Sequence, residues 1–368
     1  MAITTVADFN KAVAIDGQGR VTIAAEFLSG GHYHLLVSRY NQNGAADTSF
    51  GYFGVTTFSF DSNSDELAND IGIDSSGRIY VLASSSQNYV VRFNSAGAVD
   101  TSYNGTGFQR PFTTLLPNPR MFVRSDGTTA FVASTGFDGE NSVVISSFGS
   151  VGPRFIGSFT GNGAHEEPLG ITLDNQSRTI IVGRAANGYF GIMRLTTFGT
   201  LDKSYNAAGV GGAVPGVVLR NFGYAQQAGS DVAVDPAGQI VSVGRPESVY
   251  DFSARFLLLV TTSSGTVVNA SNLARGNTNT QPGVYVPWKL AIVGGTYFVA
   301  GASAVGNTLQ RQMAIFKLSS ATFDFDTGFA NNGFAHTSFS GYNDCFGLAL
   351  AIDPSTNNPV VVGGARNM

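Results

Sequence analysis

The sequence has 368 residues, of which 43% are hydrophobic and only 12% charged, with 46 Gly and 28 Phe. This composition excludes a globally disordered chain and favours turns and aromatic-packed strands over helices. The net charge of −4 and four scattered Lys residues exclude a clustered basic face, so no nucleic-acid partner is expected. The single Cys excludes an internal disulfide framework and a multi-cysteine metal site, and we predict no cofactor.

The expected location follows from what the sequence lacks. No apolar segment approaches the roughly 20 residues that span a membrane, so membrane insertion is not expected. The N-terminal residues show no basic segment followed by an apolar one, so we expect no secretory signal in the given sequence. The Ser/Thr/Asn/Gly-rich, Lys-poor composition is typical of exported bacterial proteins and predicts an extracytoplasmic or cell-surface location.

The first elements set a pattern that the rest of the chain repeats. Residues 11–26 form an alternating apolar strand that ends at an Asp, then a Gly-containing turn, then a second apolar strand. Seven copies occur, and their anchoring positions are Asp16, Asp74, Asp126, Asp174, Asp235, Val293 and Asp353, spaced by 48 to 61 residues. Asp tolerates left-handed geometry and Gly supplies positive φ, so each copy predicts a hairpin whose turn is capped by its own Asp.

A second segment follows most of these hairpins. It contains a third apolar strand, a turn, an Asp, an aromatic residue and a Gly, and then a short fourth strand; the better copies span residues 35–54, 89–107, 191–209 and 314–333. Four short strands per repeat predict an all-β fold, a seven-bladed β-propeller, with a β-helix as the second choice. We predict one domain over residues 1–368, with repeats at roughly 11–60, 68–112, 119–163, 167–219, 229–287, 288–339 and 342–368.

At these positions the sequence resembles the bacterial delta-60 repeat family. The matching residues are Arg39-Tyr40-Asn41, Gly44 and Asp47-Thr48-Ser49-Phe50-Gly51, and in the next copy Arg92-Phe93-Asn94, Gly97 and Asp100-Thr101-Ser102-Tyr103. The resemblance extends over almost the whole chain, and it is weak in the third and fifth copies. It implies a propeller-like fold and supplies no catalytic residues.

The two ends of the chain suggest how the last blade is completed. Residues 2–6 resemble a fourth strand, whereas the seventh copy supplies two strands and then stops. We therefore predict that the N-terminal strand closes the last blade, because propellers remove open edges in this way. That blade would still be one strand short, unless the natural chain continues beyond Met368.

Two Asp-Thr-Ser/Gly sequences, at Asp47 and Asp326, invite comparison with the catalytic pair of aspartic proteases. The same position is occupied by Asp100 and Asp202 in other copies, and equivalent positions in different blades lie far apart. We therefore predict that each Asp accepts hydrogen bonds from its own tight turn and that the following Phe or Tyr packs between blades. Replacing Asp47 or Asp326 by Ala is expected to lower stability and to abolish no activity.

Few other residues are candidates for binding. His32 and His34 share one strand face, a plausible start for a metal site, but no third ligand is identifiable, so no metal is predicted. Trp288 and Tyr250 could stack on a sugar, although packing between blades is the more frequent role of such residues. His165, Glu166 and Glu167 are best explained by loop polarity. The segments that depart most from the repeat pattern, and so are expected in binding loops, are 210–228, 245–256 and 269–288.

The sequence as a whole predicts a non-enzymatic propeller scaffold that binds a protein or a glycan, or that has a structural role on a surface or particle. A lectin-like propeller is one alternative, and it predicts exposed aromatic residues at equivalent positions of several blades. A hydrolase or lyase centred on the channel is the other, and it predicts ionisable side chains that converge from the first strands. The sequence leaves the binding residues unassigned, beyond Tyr250, Trp288, His32 and His34.

Overall fold

The structure is a computed structural model, and nearly all of its regular elements are strands. It describes residues 12–60, 63–112, 115–134, 143–147, 155–160, 166–246, 256–273, 285–304, 310–330 and 332–367. Within these ranges the helical element is one short 3-10 turn at Val210–Gly212. No helix in the described ranges has the length and apolarity needed to cross a bilayer.

The chain divides into two compact units. The first comprises residues 1–131, 145–154 and 351–362, and it contains the sheets of the first two repeats. Their strands are β1 Ala12–Ile15, β2 Val21–Ser29, β3 His32–Tyr40 and β4 Val55–Phe58, then β5 Leu67–Ile73, β6 Ile79–Ser84, β7 Asn88–Phe93 and β8 Phe108–Gln109. A hydrophobic core that includes Leu35, Phe50, Val81 and Phe93 lies between these two sheets.

The second unit comprises residues 132–144, 155–350 and 363–368. Its two complete sheets are built from β13 Glu167–Leu173, β14 Thr179–Arg184, β15 Phe190–Leu195 and β16 Val217–Arg220, then β17 Gln227–Val234, β18 Ile240–Pro246, β19 Phe256–Thr261 and β20 Val267–Leu273. Apart from the sheets of these two units, the third repeat has four paired strands, β9 Arg120–Val123, β10 Thr129–Ser134, β11 Val143–Ser147 and β12 Phe155–Gly157.

The all-β propeller prediction is confirmed, but the prediction of seven blades is wrong. The described residues form five four-stranded blades, in which each strand pairs with its neighbour in sequence. The remaining strands, β21 Tyr285–Val293, β22 Thr296–Ala304, β23 Arg311–Ser319, β24 Phe334–Thr337, β25 Asp344–Ile352 and β26 Pro359–Arg366, belong to one six-stranded sheet. Repeats six and seven therefore share a sheet instead of making two blades.

One backbone pairing accounts for the sheet that repeats six and seven share. Arg311 on β23 pairs in parallel with Asp344 on β25, so the two strands of the seventh repeat continue the sheet of the sixth. Sequence periodicity counts repeats, whereas the number of sheets depends on such long-range pairing. The predicted closing strand at residues 2–6 lies outside the described residues.

The hairpin prediction is confirmed in detail. The carboxylate of each anchoring Asp accepts backbone N–H groups of its own turn, at Asp16, Asp74, Asp126, Asp174, Asp235 and Asp353. In the sixth repeat, where Val293 replaces Asp, the turn is Gly294-Gly295, and both residues have positive φ. Two glycines therefore provide the left-handed backbone of that turn without a carboxylate cap.

The first strands carry an irregularity that sequence periodicity did not indicate. The register shifts by one residue in β5, β13, β17 and β21, leaving Asn69, Leu169, Ser230 and Trp288 as the extra residues of four β-bulges. In β14 and β18, Gly183 and Gly244 lie so close to a first-strand carbonyl that an added Cβ would be 2.0 Å from it. Glycine at these strand ends therefore allows the bulged first strand to approach.

Candidate functional site

The four Asp residues that resembled halves of a protease site are turn residues in the structure. The backbone N–H of Ser49 donates to Asp47 Oδ1 at 3.1 Å, and the Ser49 hydroxyl donates to the same oxygen at 2.6 Å. Ser102 and Ser204 repeat both bonds to Asp100 and Asp202, and the Gly328 N–H donates to Asp326. The predicted turn hydrogen bonds are confirmed.

Each of these Asp residues also pairs with a cation that sequence reasoning missed. The basic nitrogen lies 2.8 Å from the Asp Oδ2 in all four pairs, which are Arg39–Asp47, Arg92–Asp100, Arg194–Asp202 and Lys317–Asp326. The same cation lies 4.5 to 5.9 Å from the centroid of the aromatic ring of Phe50, Tyr103, Tyr205 or Phe329. The sequence feature that could have revealed the pairs is a basic residue eight positions before the Asp in the three arginine pairs and nine positions before it in the lysine pair.

In two repeats the pair extends into a four-residue network. Arg178 binds Asp174 on its own hairpin at 2.6 Å and lies 3.6 Å from Asp202, which also pairs with Arg194. Burial raises the pKa of Asp202, but hydrogen bonds from Ser204 and Arg194 outweigh it and hold that pKa below its ordinary value. The Asp47 turn has the same arrangement, and the pKa of Asp47 is also lowered.

The buried arginines also connect successive repeats. Arg39 Nη1 donates to the Ser95 carbonyl of the next repeat at 2.6 Å, and Arg194 Nη1 donates to the Ser263 carbonyl. Arg39 and Arg194 are almost fully buried, with 2% and 1% of their side chains exposed. These charges therefore hold turns and neighbouring repeats together.

The two histidines are brought to one end of β3 but face different carboxylates. His32 Nδ1 lies 3.4 Å from Asp65 Oδ1, and His34 Nδ1 lies 3.5 Å from Glu66 Oε2. Glu66 is fully buried and accepts hydrogen bonds from the Ser59 hydroxyl and the Phe60 N–H. Within the described ranges no group of three His, Cys, Asp or Glu side chains is arranged to hold a metal ion.

Other sequence candidates are placed differently. Tyr250 and His165 lie outside the described residues, as does most of the segments 245–256 and 269–288. Glu166 is buried, and its carboxylate accepts the backbone N–H of Phe159 and the hydroxyl of Ser158, which explains its position in the connecting loop. Tyr297 is also buried, and its hydroxyl donates to Asp235 of the preceding repeat at 3.0 Å.

Trp288 lies in a cluster that the sequence did not indicate. The half-buried indole packs edge-on against Phe346, with ring centroids 6.1 Å apart. Arg311 and Arg366 place their guanidinium carbons 5.6 and 5.8 Å from the centroid of the same Phe346 ring. Both arginines also bind Asp344, which is fully buried. We call these five residues the tryptophan–arginine cluster.

Asp344 organises the two arginines. Arg311 donates through Nε and Nη2 to the two carboxylate oxygens at 2.7 and 2.8 Å, and Arg366 donates through Nε at 2.8 Å. Burial raises the pKa of Asp344, but the hydrogen bonds and charges of Arg311 and Arg366 outweigh burial and hold that pKa below its ordinary value. Asp344 therefore stays ionised at neutral pH, and two cations surround one anion.

A separate cavity lies beside the hairpin turns of the fourth and fifth repeats. Its volume is about 200 Å³, and its walls include Asp174, Gln176, Arg178, Gly238 and Ser263. Arg178 binds Asp174 and also donates through Nη2 to the Gln176 side chain at 2.7 Å. The charged groups of this cavity are therefore already used by the turn network.

Two parts of the chain match a protein-family model. Residues 19–50 and 75–103 match a family described as a domain of unknown function (DUF5122) beta-propeller. The matched residues lie in the first two repeats, where the arginine–aspartate turns of Asp47 and Asp100 occur. The search of curated protein sequences found no match.

Several solved structures are similar to the chain in fold. The polysaccharide lyase Uly1 aligns with a TM-score of 0.53 and 9% identity, over 99% of this chain and 88% of the lyase. A PL25 ulvan lyase bound to -[GlcA(1-4)Rha3S]- aligns with a TM-score of 0.52 and 9% identity, over 95% and 92% of the two chains. PorZ, a surface component of the type-IX secretion system of Porphyromonas gingivalis, has a TM-score of 0.45, 10% identity, and coverage of 98% and 51%. At such identities the two lyase alignments show a shared propeller fold and nothing of the chemistry.

Proposed function

We propose that the chain is a non-enzymatic β-propeller module that binds a glycan or protein partner outside the bacterial cytoplasm. The observation that carries this proposal is the use of its repeated charges. Asp47, Asp100 and Asp202 are each bound by an arginine and by a serine of their own turn, an arrangement that stabilises a scaffold. The surface location rests on the Lys-poor composition, and membership of the delta-60 repeat family is part of the same proposal.

A polysaccharide lyase is the second candidate, and the two lyase alignments favour it because they cover nearly the whole chain. A lyase must remove a proton next to a carboxylate, which requires a positioned base within reach of the sugar. Among the described residues, His32 beside Asp65 and His34 beside Glu66 each have a carboxylate that could orient the imidazole. His32 is 38% exposed and its Asp65 partner is solvated, whereas only 10% of the His34 side chain is exposed. This burial favours a structural role for His34.

One experiment separates the two functions. The purified chain is incubated with ulvan, alginate, polygalacturonate and dextran, and the unsaturated sugar ends that a lyase generates are followed by ultraviolet absorbance. Reducing ends are measured in parallel to detect hydrolysis. We expect binding to at least one polymer or protein in a glycan array or pull-down, and no product from any polymer. Product formation that the His32→Ala or the His34→Ala variant loses would contradict the non-enzymatic proposal.

A further inference from the structure

We propose that the tryptophan–arginine cluster, formed by Trp288, Arg311, Asp344, Phe346 and Arg366, is a binding site for a saccharide that carries a carboxylate or sulfate group. This inference rests on the proposed binding function and names the ligand class for it. All five residues belong to the second unit of the chain. They come from four strands, β21, β23, β25 and β26, so the fold assembles the cluster from distant parts of the sequence.

A β-bulge in β21 carries the tryptophan of the cluster. Trp288 is the extra residue of this bulge, between Pro287 and Lys289, whereas the corresponding bulges hold Asn69, Leu169 and Ser230. A bulge interrupts the alternation of side chains and re-aims the one it carries, and bulges are frequent next to functional sites. The only Trp of the chain therefore occupies a position where three other repeats use small, polar or aliphatic residues.

The arginines supply the charge. Arg311 uses Nε and Nη2 for Asp344, so its remaining nitrogen, Nη1, points away from that carboxylate. The side chains of Arg311 and Arg366 are 28% and 44% exposed, whereas that of Asp344 is fully buried. The five side chains thus have a net charge of +1, and the cations are at the surface while the anion is beneath them.

The rings of Phe346 and Trp288 add an aromatic surface to the two guanidinium groups. Phe346 is buried below the two guanidinium groups, which fixes their positions through cation–π contacts. The half-buried indole of Trp288 packs against the same Phe346 ring, with centroids 6.1 Å apart. An aromatic face packs against the C–H groups of a sugar ring, and a pre-oriented guanidinium binds a carboxylate or sulfate through charge-assisted hydrogen bonds. A neutral sugar would use only the aromatic half of the site.

The test measures the binding of three oligosaccharides to the whole chain by calorimetry. They are a sulfated glucuronate–rhamnose oligomer from ulvan, an oligogalacturonate, and a dextran oligomer of equal length. We expect binding of one or both charged oligomers, weakened by added salt, and at least about tenfold weaker binding of dextran. The ulvan oligomer carries both groups and the oligogalacturonate only carboxylates, so binding of both shows that a carboxylate suffices, whereas binding of the ulvan oligomer alone points to the sulfate.

Variants locate the binding. Arg366→Gln and Trp288→Ala should each weaken binding of the charged oligomer by about tenfold, and Arg366→Lys by less, because it keeps the charge. Arg78→Gln is the matched control, since Arg78 is 34% exposed and binds the buried Asp74 at 2.6 Å, as Arg366 binds Asp344. It should leave binding unchanged. Trp288→Phe is included in case Trp288→Ala fails to fold, and it should weaken binding by about threefold.

The outcomes are decisive in both directions. Equal binding of dextran, absence of binding to both charged oligomers, or equal weakening by Arg78→Gln would overturn the proposed site. The binding function itself would survive those results if the glycan array or pull-down found another partner. Cleavage of an oligomer during the titration would instead contradict the non-enzymatic function. The same variants would still test whether the oligomer binds at the tryptophan–arginine cluster.

Discussion

The turn at Asp47 and the turn at Asp326 begin with the same Asp-Thr pair and follow equivalent strands, yet they are built differently. Asp47 pairs with Arg39, and the two side chains are 8% and 2% exposed. Asp326 pairs with Lys317 at the same 2.8 Å, but these side chains are 33% and 28% exposed. Ser49 adds a hydroxyl hydrogen bond that Gly328 lacks. The Asp-Thr pair therefore determines the geometry of the turn, whereas the burial of the ion pair determines how much the turn contributes to the free energy of unfolding.

The cation explains most of this difference. Arg39 offers a planar group that binds Asp47 and, on another edge, the Ser95 carbonyl of the next repeat. Lys317 offers a single ammonium group, which lies 2.8 Å from Asp326. Buried pairs cost several kcal/mol to break from one side, whereas exposed pairs contribute little. The Arg39 turn thus joins two repeats, and the Lys317 turn closes its own loop.

The largest effect is expected when an arginine turn loses its cation. Arg194→Met removes the nearest cation from buried Asp202, leaving Arg178 at 3.6 Å, and removes the donor to the Ser263 carbonyl, so the free energy of unfolding should fall by about 4 kcal/mol. Lys317→Met is the matched control and should change it by less than about 1 kcal/mol. Urea denaturation of both variants measures the difference. Equal losses would show that burial does not distinguish the two turns.

Removing the aspartate from each turn should give a somewhat smaller difference in stability between the arginine turn and the lysine turn. Asp47→Ala leaves the Arg39 charge buried and deprives the turn of its cap, which should cost about 3 kcal/mol. Asp326→Ala should cost far less because its carboxylate is solvated and pairs with a flexible lysine. The sequence alone predicted similar losses for the two substitutions. Thermal and urea midpoints of the pair decide between these expectations.

Sequence patterns predicted what is local in this molecule. Alternating apolar residues gave the strands, and Asp followed by Gly or Ser gave the hairpins and turns, because those structures form between residues a few positions apart. The link between Arg39 and Ser95 spans 56 residues and left no local pattern. The same holds for the pairing of Arg311 with Asp344, which changes the sheet count, and for the neighbours of Trp288.

Acid should weaken an arginine turn through its carboxylate. The pKa of Asp202 in the folded chain lies below the ordinary value of 3.8, so the unfolded chain binds the proton more readily. The resulting stabilisation is present above the ordinary pKa and is lost as the pH falls through the folded-state pKa. Asp202→Asn should lower stability near neutral pH and reduce the loss that follows acidification. Urea midpoints between about pH 6 and pH 2 measure both effects, and an unchanged acid dependence would contradict this role of Asp202.

The smallest effect concerns the residue that precedes the last Gly of each turn. Phe53 has a φ of 51° and is 67% exposed, and Asn332 at the equivalent position has a φ of 58°. Asn adopts this left-handed conformation readily, whereas an aromatic residue is strained by roughly 1 kcal/mol. Phe53→Asn should therefore raise the free energy of unfolding by about that amount, although it deletes a large apolar side chain, because little of that side chain is buried.

The reverse substitution, Asn332→Phe, tests the same account in the lysine turn and should destabilise it by a similar amount. If strain controls both positions, the two changes have opposite signs and comparable size in urea denaturation. A loss of stability in Phe53→Asn would mean that the edge-on contact between the rings of Phe53 and Tyr52, 4.7 Å apart, outweighs the strain. The Tyr52–Phe53 contact would then stabilise the first repeat. Because this contact would compensate for the strained φ of Phe53, the strain would need no functional explanation.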